Sequence, residues 1–247
     1  MKVGFKTDTG KLRKNNEDAL LILPKYGVFT VADGVGGQNY GEMASRNAVL
    51  GIQQFVENNN IGNFDNADQK YKSNWLMNYF ISCYKKINAN IVELAKESPD
   101  RQGMATTAVT AYIDGDRLFV TNVGDSRAYV LREGILNQIT EDHTYVNSLV
   151  NEGSLTKNEA REHPQKNIIT KALGAEVGIA PDFYRTELME DDVILLCSDG
   201  LHGELSDNEM AQIISNEEDM NDTCRSLVKA ANENGGGDNI TVICIKI

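Results

Sequence analysis

Four aspartates share one kind of position in this 247-residue sequence, the point where an apolar, strand-like run meets a turn that contains glycine. They are Asp33, Asp125, Asp199 and Asp238. A single Asp-Gly pair is ordinary turn chemistry, and Asp114-Gly115 of this chain is predicted to be such a hairpin turn. Four carboxylates gathered on one side of packed sheets would repel each other strongly. Mg²⁺ or Mn²⁺ would remove that repulsion because both prefer oxygen ligands, so the pattern favours a metal site.

A charged stretch near the start of the chain adds the groups that a phosphate site needs. It reads Arg13-Lys14-Asn15-Asn16-Glu17-Asp18. Beside a cluster of carboxylates and metal, the planar guanidinium of Arg13 would hold a phosphate dianion through paired hydrogen bonds. The formal net charge of −12 argues against nucleic acid or an anionic membrane surface as the partner. A protein this acidic needs a local cation if it acts on phosphate.

The elements that must position these residues are short strands and longer helices. Apolar runs rich in β-branched residues predict strands over residues 19–23, 28–32, 107–113, 118–123, 128–132, 193–197 and 240–245. Apolar side chains at helical spacing predict helices around residues 44–55, 76–94, 210–214 and 227–231. Two capping boxes are expected, Thr156 with Glu159 and Ser206 with Glu209. Because the strands are spread over the whole length, we expect one domain over residues 1–247, an α+β fold of two packed sheets flanked by helices.

Cysteine usage and the lack of long apolar runs predict where the protein resides. The four cysteines form no C-x-x-C pair, and Cys197 and Cys244 lie in predicted strands, so we expect buried free thiols in a reducing compartment. The chain start turns polar too soon for a signal peptide, and no apolar run approaches the roughly 20 residues of a membrane span. We therefore expect a cytoplasmic protein.

Six short motifs occur in the order typical of one enzyme family. They are Thr7-Asp8-Thr9-Gly10 with Arg13, Asn16-Glu17-Asp18, Val31-Ala32-Asp33-Gly34-Val35-Gly36-Gly37, Gly124-Asp125-Ser126-Arg127, Ser198-Asp199-Gly200-Leu201 and Gly237-Asp238-Asn239-Ile240-Thr241-Val242. Along essentially its whole length the chain resembles the metal-dependent protein serine/threonine phosphatases of type 2C, in particular their bacterial branch. The resemblance implies a four-layer αββα fold, a central β-sandwich of two antiparallel sheets with helices on both outer faces. It also implies Mg- or Mn-dependent hydrolysis of phosphoserine and phosphothreonine in proteins by a hydroxide that bridges two metal ions.

The resemblance also implies a role for each metal-site residue. Asp33 would bridge two Mn²⁺ or Mg²⁺ ions, with the Gly34 carbonyl on one ion, while Asp199 and Asp238 complete the other. Glu17 and Asp18 would act mainly through metal-bound waters.

Three further features follow from the same resemblance. Asp125, together with Asp199, is similar to a third metal site of bacterial relatives. Arg13 would bind the substrate phosphate and, with Asp33, form the catalytic pair. A segment over about residues 144–174 would include a mobile flap near the substrate.

Two departures from the family pattern affect the proton donor to the leaving oxygen. Animal relatives carry a histidine directly after the Asp-Gly pair, where this chain has Val35, and many bacterial relatives carry one after the two glycines, where it has Gln38. A serine alkoxide is a poor leaving group and needs a proton. We hypothesise that a water on the third ion, at Asp125, donates it.

The sequence leaves several functional alternatives open. One is a metal-dependent phosphohydrolase acting on another phosphoester, and a second is a pseudophosphatase that binds phosphoproteins without turnover. A third is a structural domain whose aspartates are turn residues. Under the main hypothesis the partners are phosphoprotein substrates and, by family analogy, a cognate serine/threonine kinase, and the protein is expected to be a monomer.

Overall fold

Alternating apolar side chains build strands that form two antiparallel sheets. The structure, a computed structural model, describes residues 1–36, 40–59, 61 and 69–247. The strands within this part are β1 (Lys2–Asp8), β2 (Asp18–Leu23), β3 (Val28–Val35), β4 (Ala105–Thr106), β5 (Ala108–Asp114), β6 (Arg117–Val123), β7 (Arg127–Arg132), β8 (Ile135–Gln138), β9 (Asp182–Glu187), β10 (Val193–Cys197) and β11 (Ile240–Lys246). The α-helices there are α1 (Tyr40–Asn58), α2 (Gln69–Lys96), α3 (Tyr145–Asn151), α4 (Lys157–Glu162), α5 (Asp199–His202), α6 (Asp207–Asn216) and α7 (Met220–Asn234).

The two sheets draw on strands from all along the chain. One has the order β1-β11-β10-β7-β8, and the other has the order β2-β3-β5-β6-β9 with β4 beside the end of β3. The first strand pairs with the last, so Thr7 lies opposite Thr241 and Asp8 opposite Ile240. This pairing brings the two ends of the described chain together in one sheet.

The central strands are apolar on both faces because each sheet lies between two other layers. In β10, Ile194 and Leu196 pack in the core between the sheets, whereas Leu195 and Cys197 pack against the helices. Helices α6 and α7 cover this sheet, and α1 and α2 cover the other through side chains such as Ile52. The arrangement is the four-layer αββα sandwich that the resemblance implied.

Strands β1, β8 and β9, which lie at sheet edges, were not predicted from the sequence, whereas the edge strand β2 was. The edge strands β1, β8 and β9 are largely polar and partly exposed, so they lack the apolar run of a central strand. The predicted end of β3 at residue 32 is also wrong. The strand continues to Val35 because β4 pairs with its last residues, Gly34 with Thr106 and Val35 with Ala105.

The local turn and cap predictions are confirmed where the structure describes them. Both capping boxes are formed, by Thr156 with Glu159 at α4 and by Ser206 with Glu209 at α6. The Asp114-Gly115 pair connects β5 to β6. The sequence is Asn-rich and polar over residues 58–68, which predicts a loop; Asn58 ends α1, and residues 60 and 62–68 lie outside the described residues.

The cysteine prediction is confirmed as well. Cys83, Cys197, Cys224 and Cys244 are all buried and free. None of the helices in the described ranges has the length and apolar character needed to cross a membrane. The cytoplasmic location stays a prediction.

Candidate metal and phosphate site

The predicted acidic residues meet at one end of the sandwich. Asp18, which begins β2, pairs with Asp33 near the end of β3. Asp199 follows β10, and Asp238 precedes β11, the strand that pairs with β10. Asp125 lies in the turn between β6 and β7, where the chain passes from one sheet to the other. Carboxylates from both sheets therefore converge.

The pKa values of these carboxylates depend on one another. Asp33 and Asp199 lie close enough for each to alter the pKa of the other. Burial, followed by repulsion from Asp18, Asp199 and Asp125, raises the pKa of Asp33 well above its ordinary 3.8. Burial and then Asp238 raise the pKa of Asp199. Bringing these carboxylates together therefore favours their protonated forms, and a divalent cation would compensate the same charge.

Three carboxylate oxygens in this cluster are buried without a hydrogen-bond partner among the described residues, namely Oδ1 of Asp18, Asp125 and Asp199. Burial, with neighbouring carboxylates adding to it, raises the pKa of Asp18 to about 7 and that of Asp125 to about 8. Unpartnered buried oxygens are costly unless something binds them. Within the described ranges no three His, Cys, Asp or Glu side chains already form a coordination shell. The fit to a divalent cation therefore rests on the all-oxygen donor set and these free lone pairs.

Arg13 lies at the exposed side of the cluster. Its Nη2 donates to Oδ2 of Asp238 at 2.7 Å, and its side chain is 56% exposed. The guanidinium therefore lies next to the carboxylates with donors facing solvent. This is where a phosphate dianion can approach the cluster.

Glycine at position 34 is required by a close crossing of backbone segments. The Gly34 N–H donates to the Glu17 carbonyl at 3.2 Å. A Cβ at Gly34 would lie 2.1 Å from the Gly41 carbonyl oxygen and 2.6 Å from the Glu17 carbonyl oxygen. Only glycine lets β3 pass here. The same packing brings Glu17 beside the cluster, where burial is the largest of the causes that raise its pKa.

Asn239 is a positioning residue to which the sequence motifs assigned no role. Its Oδ1 accepts a hydrogen bond from the Glu17 N–H at 2.8 Å, and its Nδ2 donates to the carbonyls of Thr9 and Asn15, both at 2.9 Å. One buried amide thus attaches the loop that carries Arg13 to the start of β11. The signal available in the sequence was an amide residue directly after Asp238.

Ser198 has a similar linking position, also unassigned from the sequence. Its hydroxyl donates to Oδ2 of Asp18 at 2.8 Å and accepts from the Thr241 N–H at 2.9 Å. It therefore joins Asp18 of one sheet to the β10 and β11 strands of the other.

Two histidines hold the turn that carries Asp125. His202 donates from Nε2 to the Asp125 carbonyl at 3.0 Å, and His143 accepts at Nδ1 from the Gly124 N–H at 3.0 Å. Burial lowers the pKa of both, that of His202 to about 3. Neutral imidazoles whose ring nitrogens are hydrogen-bonded in this way have structural roles. Val35 carries no proton to donate, and Gln38 lies outside the described residues.

Comparison with known proteins identifies the family. Residues 11–241 match the model of the family described as protein phosphatase 2C. The chain is 34% identical to the serine/threonine phosphatase stp of Listeria monocytogenes over 250 residues, which cover 100% of this chain and 96% of that protein. The crystal structure of serine/threonine phosphatase Stp1 from Staphylococcus aureus matches with a TM-score of 0.89 and 36% identity, covering 100% of this chain and 95% of that one.

A further solved structure is that of the catalytic domain of serine threonine protein phosphatase PstP in complex with two manganese ions. It matches with a TM-score of 0.84 and 31% identity, covering 98% of this chain and 96% of that one. Together with the site geometry, these matches define the class: a protein serine/threonine phosphatase. The chain belongs to the protein phosphatase 2C family.

Proposed function

We propose that this chain hydrolyses phosphoserine and phosphothreonine in proteins with the help of Mn²⁺ or Mg²⁺ bound at the carboxylate end of the sandwich. The observation that carries the proposal is a set of buried oxygens on Asp18, Asp125 and Asp199 that have no hydrogen-bond partner in the described part of the chain, close to the exposed guanidinium of Arg13. The manganese ions in the related PstP structure support the choice of metal.

The residues that would hold two ions are those that converge from the strand ends. Asp33 would contribute to holding both ions. The Gly34 carbonyl would help to hold one ion, and Asp199 and Asp238 would help to hold the other. Glu17 and Asp18 would act through intervening water, and Asp125 with Asp199 would serve a third ion. When bound, such ions would polarise the phosphoryl group and lower the pKa of water toward neutral pH.

The protein's own groups orient the substrate and stabilise its charge. Arg13 would turn from Asp238 to bind the phosphate, since its planar fork matches two phosphate oxygens, and would stabilise charge on them in the transition state. Asn239 holds the loop that carries Arg13 in place by donating hydrogen bonds to the carbonyls of Thr9 and Asn15. The cysteines have no part in this chemistry, because all four are buried.

The segment over residues 144–174 is proposed to be a flap on a single domain that comprises residues 1–247. Thr144 pairs with Ile169 at its base, and Leu173 pairs with Thr106, whose hydroxyl donates to the Asp33 carbonyl at 2.8 Å. Helices α3 and α4 lie between these points. A serine/threonine kinase acting on the same proteins is the expected counterpart, by family analogy.

Turnover by the purified protein tests the proposal. We expect hydrolysis of para-nitrophenyl phosphate and of a phosphothreonine peptide in Mn²⁺, and loss of both in EDTA. Asp33→Asn should reduce both rates about 100-fold or more, because it removes charge at the centre of the cluster. Asp116→Asn is the matched control, since Asp116 is 79% exposed at the β5–β6 hairpin.

Each other outcome points to a different function. Full activity in EDTA would exclude the metal mechanism. Hydrolysis of the aryl phosphate without any phosphopeptide would favour a phosphohydrolase with another substrate. Mn²⁺ binding with no turnover of either would favour a pseudophosphatase.

A further inference from the structure

A cavity of about 330 Å³ lies at the end of β3, the strand that carries Asp33. It is bounded on one side by the paired ends of β3 and β4 and on the other by the end of the proposed flap and the residues directly after it. The lining residues that matter here are Val35, Ala105, Ile169, Lys171, Ala172 and Glu176. Its lining is therefore mostly apolar, with one basic side chain, one acidic side chain and the hydroxyl-bearing Thr170.

The cavity has a fixed relation to the catalytic carboxylate through β3. Asp33 and Val35 are two residues apart on this strand, and Gly34 between them is buried while Val35 is 41% exposed. Asp33 and Val35 therefore lie on the same face, roughly 7 Å apart along the strand. Ala105 continues the wall because it pairs with Val35. The cavity thus begins about one strand repeat from Asp33.

The two charged lining residues differ in their partners. Lys171 donates from Nζ to Oδ1 of Asp182 at 3.0 Å, so its charge is already compensated. Glu176 is exposed, and no ion pair is found for it within the described ranges. Its backbone is held in place, because the Glu176 carbonyl accepts from Nδ2 of Asn88 at 2.8 Å and Asn88 is 3% exposed. The cavity therefore presents one uncompensated carboxylate at the edge of an apolar body.

That combination suits a side chain with an apolar stem and a cationic end, which is the structure of lysine and arginine. The position of such a residue in a substrate follows from strand geometry. In an extended peptide, side chains two positions apart point the same way and are roughly 7 Å apart, whereas adjacent ones point to opposite sides. A peptide with its phosphate over Asp33 would place the side chain two positions away at the cavity.

We propose, resting on the proposed phosphatase function, that this cavity is a substrate subsite for a lysine or arginine two positions from the phosphorylated residue. Val35, at the place where animal relatives carry a histidine, then contributes to substrate selection.

A peptide series tests the subsite. Phosphothreonine peptides with an alanine background carry a single lysine at each position from three before to three after the phosphothreonine, and kcat/KM is measured in Mn²⁺. Lysine two positions from the phosphothreonine should raise kcat/KM about three- to fivefold, as expected for a partly exposed ion pair. The gain should occur either before or after the phosphothreonine and not on both sides, because the bound peptide has one chain direction. Glutamate there should lower it. Glu176→Gln should abolish the lysine gain, and the control Glu190→Gln, at an exposed position away from the cavity, should keep it.

A second variant tests the shape of the cavity. Ala175 is an exposed lining residue, so Ala175→Phe can fill the cavity without disturbing the core, and it should also abolish the lysine gain. Fluorescence anisotropy of labelled peptides in Mn²⁺ gives the same comparison without turnover. The subsite is refuted if the preference peaks at an adjacent position, if leucine equals lysine, or if the gain survives Glu176→Gln. Hydrolysis of para-nitrophenyl phosphate, which is too small to reach the cavity, reports separately on the phosphatase function.

Discussion

Replacing Asp18 with asparagine in the metal-free protein measures how much the buried carboxylate lowers the free energy of unfolding, separately from its role in metal binding. Asp18 is 9% exposed, and its Oδ1 has no partner among the described residues. Burial is the main cause that raises its pKa from 3.8 to about 7. Hydrogen bonds from Thr241 and Ser198 oppose the rise, and the charges of Asp199 and Asp238 add to it. The folded chain therefore resists ionisation at this position.

The sign of the pH effect follows from the raised pKa. The contribution of Asp18 to stability is complete below its ordinary pKa of 3.8 and is lost as the pH rises through about 7. At about 1.4 kcal/mol per unit, the whole rise corresponds to about 4 kcal/mol. Neighbouring carboxylates titrate together with Asp18, so we expect about 1–3 kcal/mol of it in the measured free energy of unfolding.

Asparagine has nearly the shape of aspartate and stays neutral at every pH, and its Oδ1 can accept the hydrogen bond from Ser198. In EDTA at pH 8, Asp18→Asn should therefore unfold at a higher temperature than the unmodified protein. For a chain of this size the gain is about 2–4 °C for each kcal/mol. At pH 5 the gain should be less than half as large, because the Asp18 carboxyl is then protonated in the folded state.

Calorimetry in EDTA at both pH values makes the measurement, with Asp116→Asn as the exposed control. In Mn²⁺ the advantage of the variant should shrink. A bound ion adds about 2.7 kcal/mol to stability at 100 times its Kd, and the variant should lose part of that gain. A lower Tm for Asp18→Asn in EDTA at pH 8, or a gain that does not change with pH, would refute the account of the cluster given above.

Two further substitutions test the substrate side of the site. Arg13→Ala should lower kcat/KM for para-nitrophenyl phosphate about 10- to 100-fold. Arg13→Lys should recover only part of this loss, because an ammonium group lacks the planar fork of the guanidinium. An unchanged kcat/KM for Arg13→Ala in steady-state kinetics would contradict phosphate binding by this residue. Asp125→Asn should reduce turnover of a phosphothreonine peptide about tenfold more than turnover of para-nitrophenyl phosphate. The reason is that an alkoxide leaving group needs a proton, whereas a nitrophenolate does not. Equal losses on both substrates would count against the third metal site as the source of that proton.

The fold could be predicted from the sequence wherever burial leaves a continuous apolar run. Strand β10 shows why: both of its faces are covered, so all five of its residues are apolar or cysteine. Edge strands such as β8 have no such pattern, because one edge of the strand has no neighbouring strand and most of its side chains are exposed to water. The two-residue strand β4 could not be found at all, since it exists only through pairing with β3.

The site was predicted less completely than the fold, because the sequence marks residue types and not neighbours. Each aspartate could be recognised at a strand end, and the expectation that they converge is met. The mutual effect of Asp33 and Asp199 on their pKa values was not expected, because it follows from the distance between two strands of different sheets. The roles of Asn239 and Ser198 were missed for the same reason: the partners Glu17 and Asp18 that they hold are more than 100 residues away in the sequence.

The same reasoning explains why strand register is the physical basis of the site. Asp18 lies opposite Asp33 because β2 and β3 pair so that Ala19 lies opposite Ala32 and Leu20 opposite Val31. Those apolar pairs alternate between the helix-facing layer and the core between the sheets. A slip of one residue would turn the apolar set of β2 to the wrong face and move Asp18 away from Ser198. Burial of the apolar residues therefore specifies the register, and the register in turn holds the carboxylates together against their repulsion.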